Sequence, residues 1–155
     1  MTVTAQTFAD VVAPLLAWLD GRAIGPALGA ELEAAFAADG AAVAAIEAAC
    51  ETGLNEGWLG EHGSGRRRWG RILEPSPATH GFSVDVVWMD DMAGAHHIHP
   101  GGEIVLVLPQ DPAARFCGEG KGWVVYPPGS DHIPAVSGGR AIVLYALPGG
   151  AITFT

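Results

Sequence analysis

Three of the six histidines in this 155-residue chain fall within four consecutive positions, in the run Gly94-Ala95-His96-His97-Ile98-His99-Pro100-Gly101-Gly102-Glu103. On an extended strand, residues two apart share a face, so His97 and His99 present their rings side by side while Ile98 turns away. Glu103 follows a Pro-Gly-Gly turn and can return to the same pocket at the start of the next strand. Two neutral nitrogens and one carboxylate oxygen suit a single divalent ion, with Fe, Mn, Zn and Ni all open, and leave coordination positions for water or substrate. Alternation turns His96 to the other face, as an exposed neighbour or a support for the ligands. His62 and His80 read as partly exposed loop or strand-edge residues.

A second stretch completes the set. Gly122 to Tyr126 reads as a strand, Pro127-Pro128-Gly129 as a rigid turn, and His132 follows as a fourth candidate ligand. Together the two stretches resemble the paired motifs of the cupin superfamily: His-x-His, three residues and Glu, then Pro-x-Gly-x-x-His. The match is carried in order by His97, His99, Glu103, Pro127, Gly129 and His132. This resemblance implies a mostly β fold, a cupin-type β-barrel or double-stranded β-helix, whose mouth holds one divalent metal ion on His97, His99, Glu103 and His132. Val136 stands where the second motif often carries an Asn that is not a ligand, so the ligand set stays whole. The alternative is a cupin that keeps these residues and works without metal.

Arg66, Arg67, Arg68 and Arg71 supply four of the eight cations within six residues. One account is a solvated strand edge facing the acidic segment before it. The other is an arginine on the inner face of a barrel strand, clamping a substrate carboxylate through two parallel hydrogen bonds. Arg67, Trp69 and Arg71 share one face by alternation, and Arg71, just before the apolar Ile72-Leu73, is the first candidate, with Arg67 next. Trp88 and Trp123 are candidate pocket walls. Tyr126, beside the turn that carries His132, is a candidate for proton transfer.

The elements that must position these groups fall into two segments. Residues 1–65 carry nine acids, one base and 17 alanines, a helical composition. Phe8, Val11, Val12, Leu15, Leu16 and Leu19 form one helical stripe over about Thr7 to Asp20, with Pro14 marking a kink or a start at Ala13. Gly25-Pro26 opens a second helix carrying Leu28, Leu32, Ala35 and Phe36, and a third runs from Ala41 to Thr52 and stops at Gly53. From residue 66 on, short runs rich in β-branched and aromatic residues read as strands: Arg67–Leu73, Gly81–Met89, Glu103–Leu108, Trp123–Tyr126, Ala141–Leu147 and Ala151–Phe154. Ser137-Gly138-Gly139 reads as a turn between them. Ile104–Leu108 and Ala141–Leu147 are apolar at nearly every position, so both faces are buried, the outer one under the helices or a second subunit. The expectation is one folded unit: a helical cap over 1–65 and a barrel over 66–155.

With the cap in view the resemblance narrows. His80 to Asp85, His97 to Glu103, Gly122 to Ser130 and the ending Leu147 to Ile152 look like the 4-hydroxylaminobenzoate lyase family of small cupins. That resemblance implies conversion of 4-hydroxylaminobenzoate to 3,4-dihydroxybenzoate with release of ammonia. The residues also allow another small-acid cupin enzyme, a dioxygenase or isomerase, and a non-catalytic metabolite-binding cupin. A net charge of -9 argues against nucleic-acid and anionic-membrane surfaces and leaves a small aromatic acid as partner. No apolar run reaches a membrane-spanning length, no basic leader precedes Arg22, and Cys50 and Cys117 make no disulfide framework, so a cytoplasmic protein with free thiols is expected. The two-sided apolar strands suggest a homodimer.

Overall fold

The computed structural model describes residues 5–155. Three helices come first: α1 (Ala5–Leu19), α2 (Leu28–Ala35) and α3 (Ala41–Glu56). Phe8, Val12, Leu15, Leu16 and Leu19 form the buried stripe of α1, and Pro14 lies on the exposed side of a helix that continues through it. The helix therefore starts well before Ala13. There Pro14 removes one backbone hydrogen bond, and water can satisfy the freed carbonyl. In α2, Leu28 and Leu32 are buried but Ala35 is exposed, because the helix ends there and Phe36 turns inward against Trp18, ring centroids 5.7 Å apart.

Gly53 does not stop α3. It is buried within the helix, and a Cβ there would lie 2.8 Å from both Leu59 and the Trp58 ring, so its missing side chain makes room for the chain folding back. Gly57, at φ +84, closes the helix in the left-handed conformation that glycine adopts without a steric penalty.

Ten strands follow, from β1 (His62–Ser64), which already begins within the segment expected to be helical, to β10 (Thr153–Phe154). One antiparallel sheet has the order β1, β2 (Arg67–Leu73), β3 (Phe82–Ala93), β9 (Ala135–Pro148), β5 (Glu103–Pro109), β7 (Gly122–Tyr126), with β6 (Arg115–Phe116) also paired to β9. The second sheet is β10, β4 (His97–His99) and β8 (Ser130–His132). This is the cupin-type barrel with an N-terminal helical cap.

Ser137-Gly138-Gly139 is not a turn between strands. It lies inside β9, where Gly138 (φ +78) passes so close to the Ala113 carbonyl that a Cβ would lie 2.4 Å from its oxygen. The pairing register with β3 shifts nearby, between Asp90 and Met92, so the long strand bends and goes on.

The large sheet is buried on both sides. Val84, Val86, Ile104, Leu106, Ile142 and Leu144 form one core with the helical residues Leu15, Leu16, Leu32 and Ile46. Val87, Met89, Val105, Val107, Val143 and Phe116 form another inside the barrel. The chain's own helices thus cover the outer face, and the two-sided strands do not call for a second subunit. No helix among the described residues is long and apolar enough to cross a membrane.

Candidate metal centre

Strand pairing assembles the cluster. β4 pairs with β8 so that His97 lies opposite His132 and His99 opposite Ser130, and β5 pairs with β7 so that Glu103 lies opposite Tyr126. The turn between β4 and β5 depends on Gly102, whose φ is +90 and where a Cβ would lie 2.9 Å from Ile24 and 3.0 Å from the Tyr126 carbonyl. Two backbone N–H groups, from Gly102 (3.2 Å) and Gly129 (2.7 Å), donate to the His99 carbonyl and tie both motif turns to β4.

Ligand atoms of His97, His99, Glu103 and His132 lie within 4.8 Å of one another. Glu103 Oε2 stands 3.0 Å from His99 Nε2 and 3.5 Å from His97 Nε2, and Oε1 stands 3.7 Å from His132 Nε2. His97 and His132 bring their Nε2 atoms to 3.1 Å. Behind the rings, His97 Nδ1 donates to the Ala95 carbonyl (3.2 Å) and His99 Nδ1 to Ser130 Oγ (3.1 Å), whose own hydroxyl donates to the Pro127 carbonyl. His132 Nδ1 faces Cys117 Sγ at 3.8 Å, and that thiol in turn donates to the Ile133 carbonyl at 3.7 Å. When the ring protons sit on Nδ1, the three Nε2 lone pairs face inward beside a carboxylate, which is the state that can receive a metal ion. His99 Nε2 and Glu103 Oε2 are buried and, although 3.0 Å apart, are not aligned for a hydrogen bond.

Burial lowers the His132 pKa to about 4, partly countered by Glu103, so the ring is neutral at ordinary pH. Burial alone would raise the Glu103 carboxyl, but the neighbouring His97 and His99 outweigh it and the net shift is downward, towards the carboxylate. A mutually facing set of nitrogen lone pairs and an anion is unfavourable by itself and favourable around a cation. The residues present fit a divalent metal ion.

The other expected residues are distributed differently. Tyr126 packs its ring 4.4 Å from His132 and 5.4 Å from His99, and burial with the nearby Cys117 keeps its phenol protonated. Arg71 shares the inner face with Arg67, but its guanidinium is committed: Nε to Asp85 Oδ1 at 2.8 Å, Nη2 to Asp85 Oδ2 at 3.3 Å and to the Gly150 carbonyl at 3.0 Å. Trp88 and Trp123 do not wall the pocket. Both pack on the helix side of the sheet, donating their indole N–H to Gln110 Oε1 (2.7 Å) and the Phe36 carbonyl (2.8 Å). Parity explains it: Trp88 follows Val86 and Trp123 lies opposite Leu106, both helix-facing positions.

His97 and Glu103 open onto a cavity whose lining also includes Arg67, Tyr145, Phe116 and Phe154. Tyr145, absent from the sequence reading, lies opposite Asp85 on β3 and Val105 on β5, and burial with the charges of Asp85 and Glu103 holds its phenol protonated. The available signal was one hydroxyl in the otherwise apolar run Ala141–Leu147. His96 lies outside the cluster, with Nε2 2.7 Å from Asp131 Oδ2. His62 stacks on Trp69 at 4.6 Å and His80 meets Asp20 at 3.1 Å, both away from the cluster.

Known proteins resemble this chain along nearly all of it. A family model described as PnbB, 4-hydroxylaminobenzoate lyase, matches residues 10–154. A protein of Nocardioides sp. named 4-hydroxylaminobenzoate lyase is 32% identical over 160 residues, covering 97% of this chain and 95% of its own. One of the same name from Pseudomonas putida is 34% identical over 119 residues, covering 66% of this chain and 68% of its own. Among solved structures, the DMSP lyase DddQ from Ruegeria pomeroyi shares the fold, with a TM-score of 0.56 at 18% identity over 98% of each chain. A family match of this extent, joined to the barrel and its cap, makes the chain a cupin-fold lyase that belongs to the 4-hydroxylaminobenzoate lyase family.

Proposed function

We propose that this chain converts 4-hydroxylaminobenzoate, or a closely related arylhydroxylamine carboxylate, to 3,4-dihydroxybenzoate with release of ammonia, using one divalent ion held by His97, His99, Glu103 and His132. The observation that carries the metal reading is the inward-facing donor set, with two of its buried atoms lacking any hydrogen bond. The names of the relatives support the substrate and product. The conversion takes up one water, releases one ammonia and transfers no net electrons, so it needs no external oxidant. A bound divalent ion would supply Lewis acidity for cleavage of the N–O bond or for lowering the pKa of a water.

The chain's own groups would do the rest. Val87, Met89, Val143 and Phe116 present an apolar wall to the aromatic ring and exclude bulk water. Tyr126 and Tyr145, each held as a neutral phenol, are the proton donors of the site and its margin. The reading extends to a cytoplasmic enzyme acting on a small aromatic acid. An anaerobic assay of the metal-loaded protein tests it. Catechol and ammonia are expected in equal amounts without oxygen, and activity that vanishes in strict anoxia and returns with air would make this a dioxygenase.

A further inference from the structure

Among the described residues, every Lys and Arg side chain has a polar partner except one. Arg22 meets Glu31 and the Trp18 carbonyl; Arg66 holds the Asp90 and Asp91 carbonyls; Arg68 reaches those of Leu54, Leu59 and Gly60. Arg71 is bound to Asp85, Arg115 to the Ala114 carbonyl, Arg140 to Asp111, and Lys121 to Glu47. Arg67 makes no hydrogen bond or ion pair among the described residues, and its Nε is buried without a partner. The chain has 17 acidic residues, so the vacancy does not reflect a shortage of carboxylates.

A buried, unpartnered charged donor is costly, and such groups persist where something outside the chain completes them. Arg67 lies in the wall of the cavity onto which His97 and Glu103 open. Its guanidinium passes the Gly94 backbone, where a Cβ would stand 3.9 Å from Cζ, and lies 5.5 Å from the Trp69 ring. Much of the remaining wall is apolar: Val87, Met89, Phe116, Val143, Phe154. The lining thus brings together a cation, apolar side chains and two members of the donor cluster, His97 and Glu103.

We infer that Arg67 is the carboxylate anchor of this pocket and selects aromatic acids over neutral aromatics, a role that rests on the proposed function for the identity of the reacting group. A guanidinium can grip a carboxylate through two parallel N–H bonds, and in a pocket shielded from water such a contact discriminates against uncharged analogues. Arg71, four residues along on the same face, cannot take this role because Asp85 already fills its fork.

Calorimetric binding of benzoate and of benzamide to the purified protein tests the inference. Arg67→Met is expected to weaken benzoate by at least about tenfold and leave benzamide within about twofold. Metal content stays at the wild-type value and the thermal midpoint does not fall, because the Arg67 side chain makes no hydrogen bond or ion pair among the described residues. Unchanged benzoate affinity, equal losses for both compounds, or no benzoate binding by the wild type would overturn the anchor. If the Met variant does not fold, Arg67→Gln carries the same comparison. Benzoate binding that depends on Arg67, in a protein that turns over no arylhydroxylamine, would sink the proposed function while leaving the anchor standing.

Discussion

The two sides of the large sheet are made from the same strands and are finished in different ways. On the helix side, the indole N–H groups of Trp88 and Trp123 both have acceptors, and Cys50 is fully buried with its thiol pushed up to about 12, chiefly by burial. On the barrel side sit His97, His99, Glu103 and Asp85, all buried. The buried side-chain atoms without a hydrogen bond, Arg67 Nε, Ser83 Oγ, His99 Nε2 and Glu103 Oε2, also belong to the barrel side. One face is completed by the chain itself, whereas the other keeps four buried polar atoms without a hydrogen-bond partner among the described residues.

This contrast can be broken most sharply at the ligands. His97→Ala and His132→Ala each remove a converging nitrogen, so metal per chain, read by elemental analysis, is expected to fall from one to below about a tenth. Turnover should fall with it, while the circular dichroism of the fold is kept. Full metal stoichiometry in both variants would refute the cluster as a metal centre.

A smaller effect, of the opposite kind, is expected from the helix side. Leu16→Ala empties a position that is 1% exposed in the shared core and should cost about 2–5 kcal/mol in denaturant unfolding. The folded fraction should still bind one metal per chain. A loss of metal affinity larger than the loss of folded protein would show that the two sides are not separable.

The mildest probe uses the two cysteines, one on each side. Cys117 is exposed and Cys50 buried, so a thiol reagent at pH 8 should label one thiol quickly and the second only as the protein unfolds. Cys117→Ser should abolish the fast phase. Two thiols reacting at equal rates would mean that the helical cap opens readily.

The convergence of His97, His99, Glu103 and His132 is legible in the sequence because strand alternation and two short turns bring these side chains together with little freedom left. The barrel was readable from the same motifs, and α1 from its stripe. The sequence does not place Trp88 and Trp123, because an aromatic residue looks alike on either face of a strand buried on both sides; only the pairing partners decide which core it joins. Gly53 and Gly138-Gly139 read as stops in the sequence because glycine signals a turn and a close approach in the same way. The choice between Arg71 and Arg67 turned on Asp85, fourteen residues away in sequence and opposite Arg71 in the sheet.

Interleaving two cores in one set of strands also bears on how such an enzyme could change over time. Along β9, Ile142, Leu144 and Ala146 serve the helix side while Val143 and Tyr145 face the barrel. Odd positions can therefore drift towards a different substrate while even positions go on holding the cap in place. A lineage built this way could explore new chemistry one residue at a time, with each step screened for stability by its neighbours rather than by the substituted residue itself.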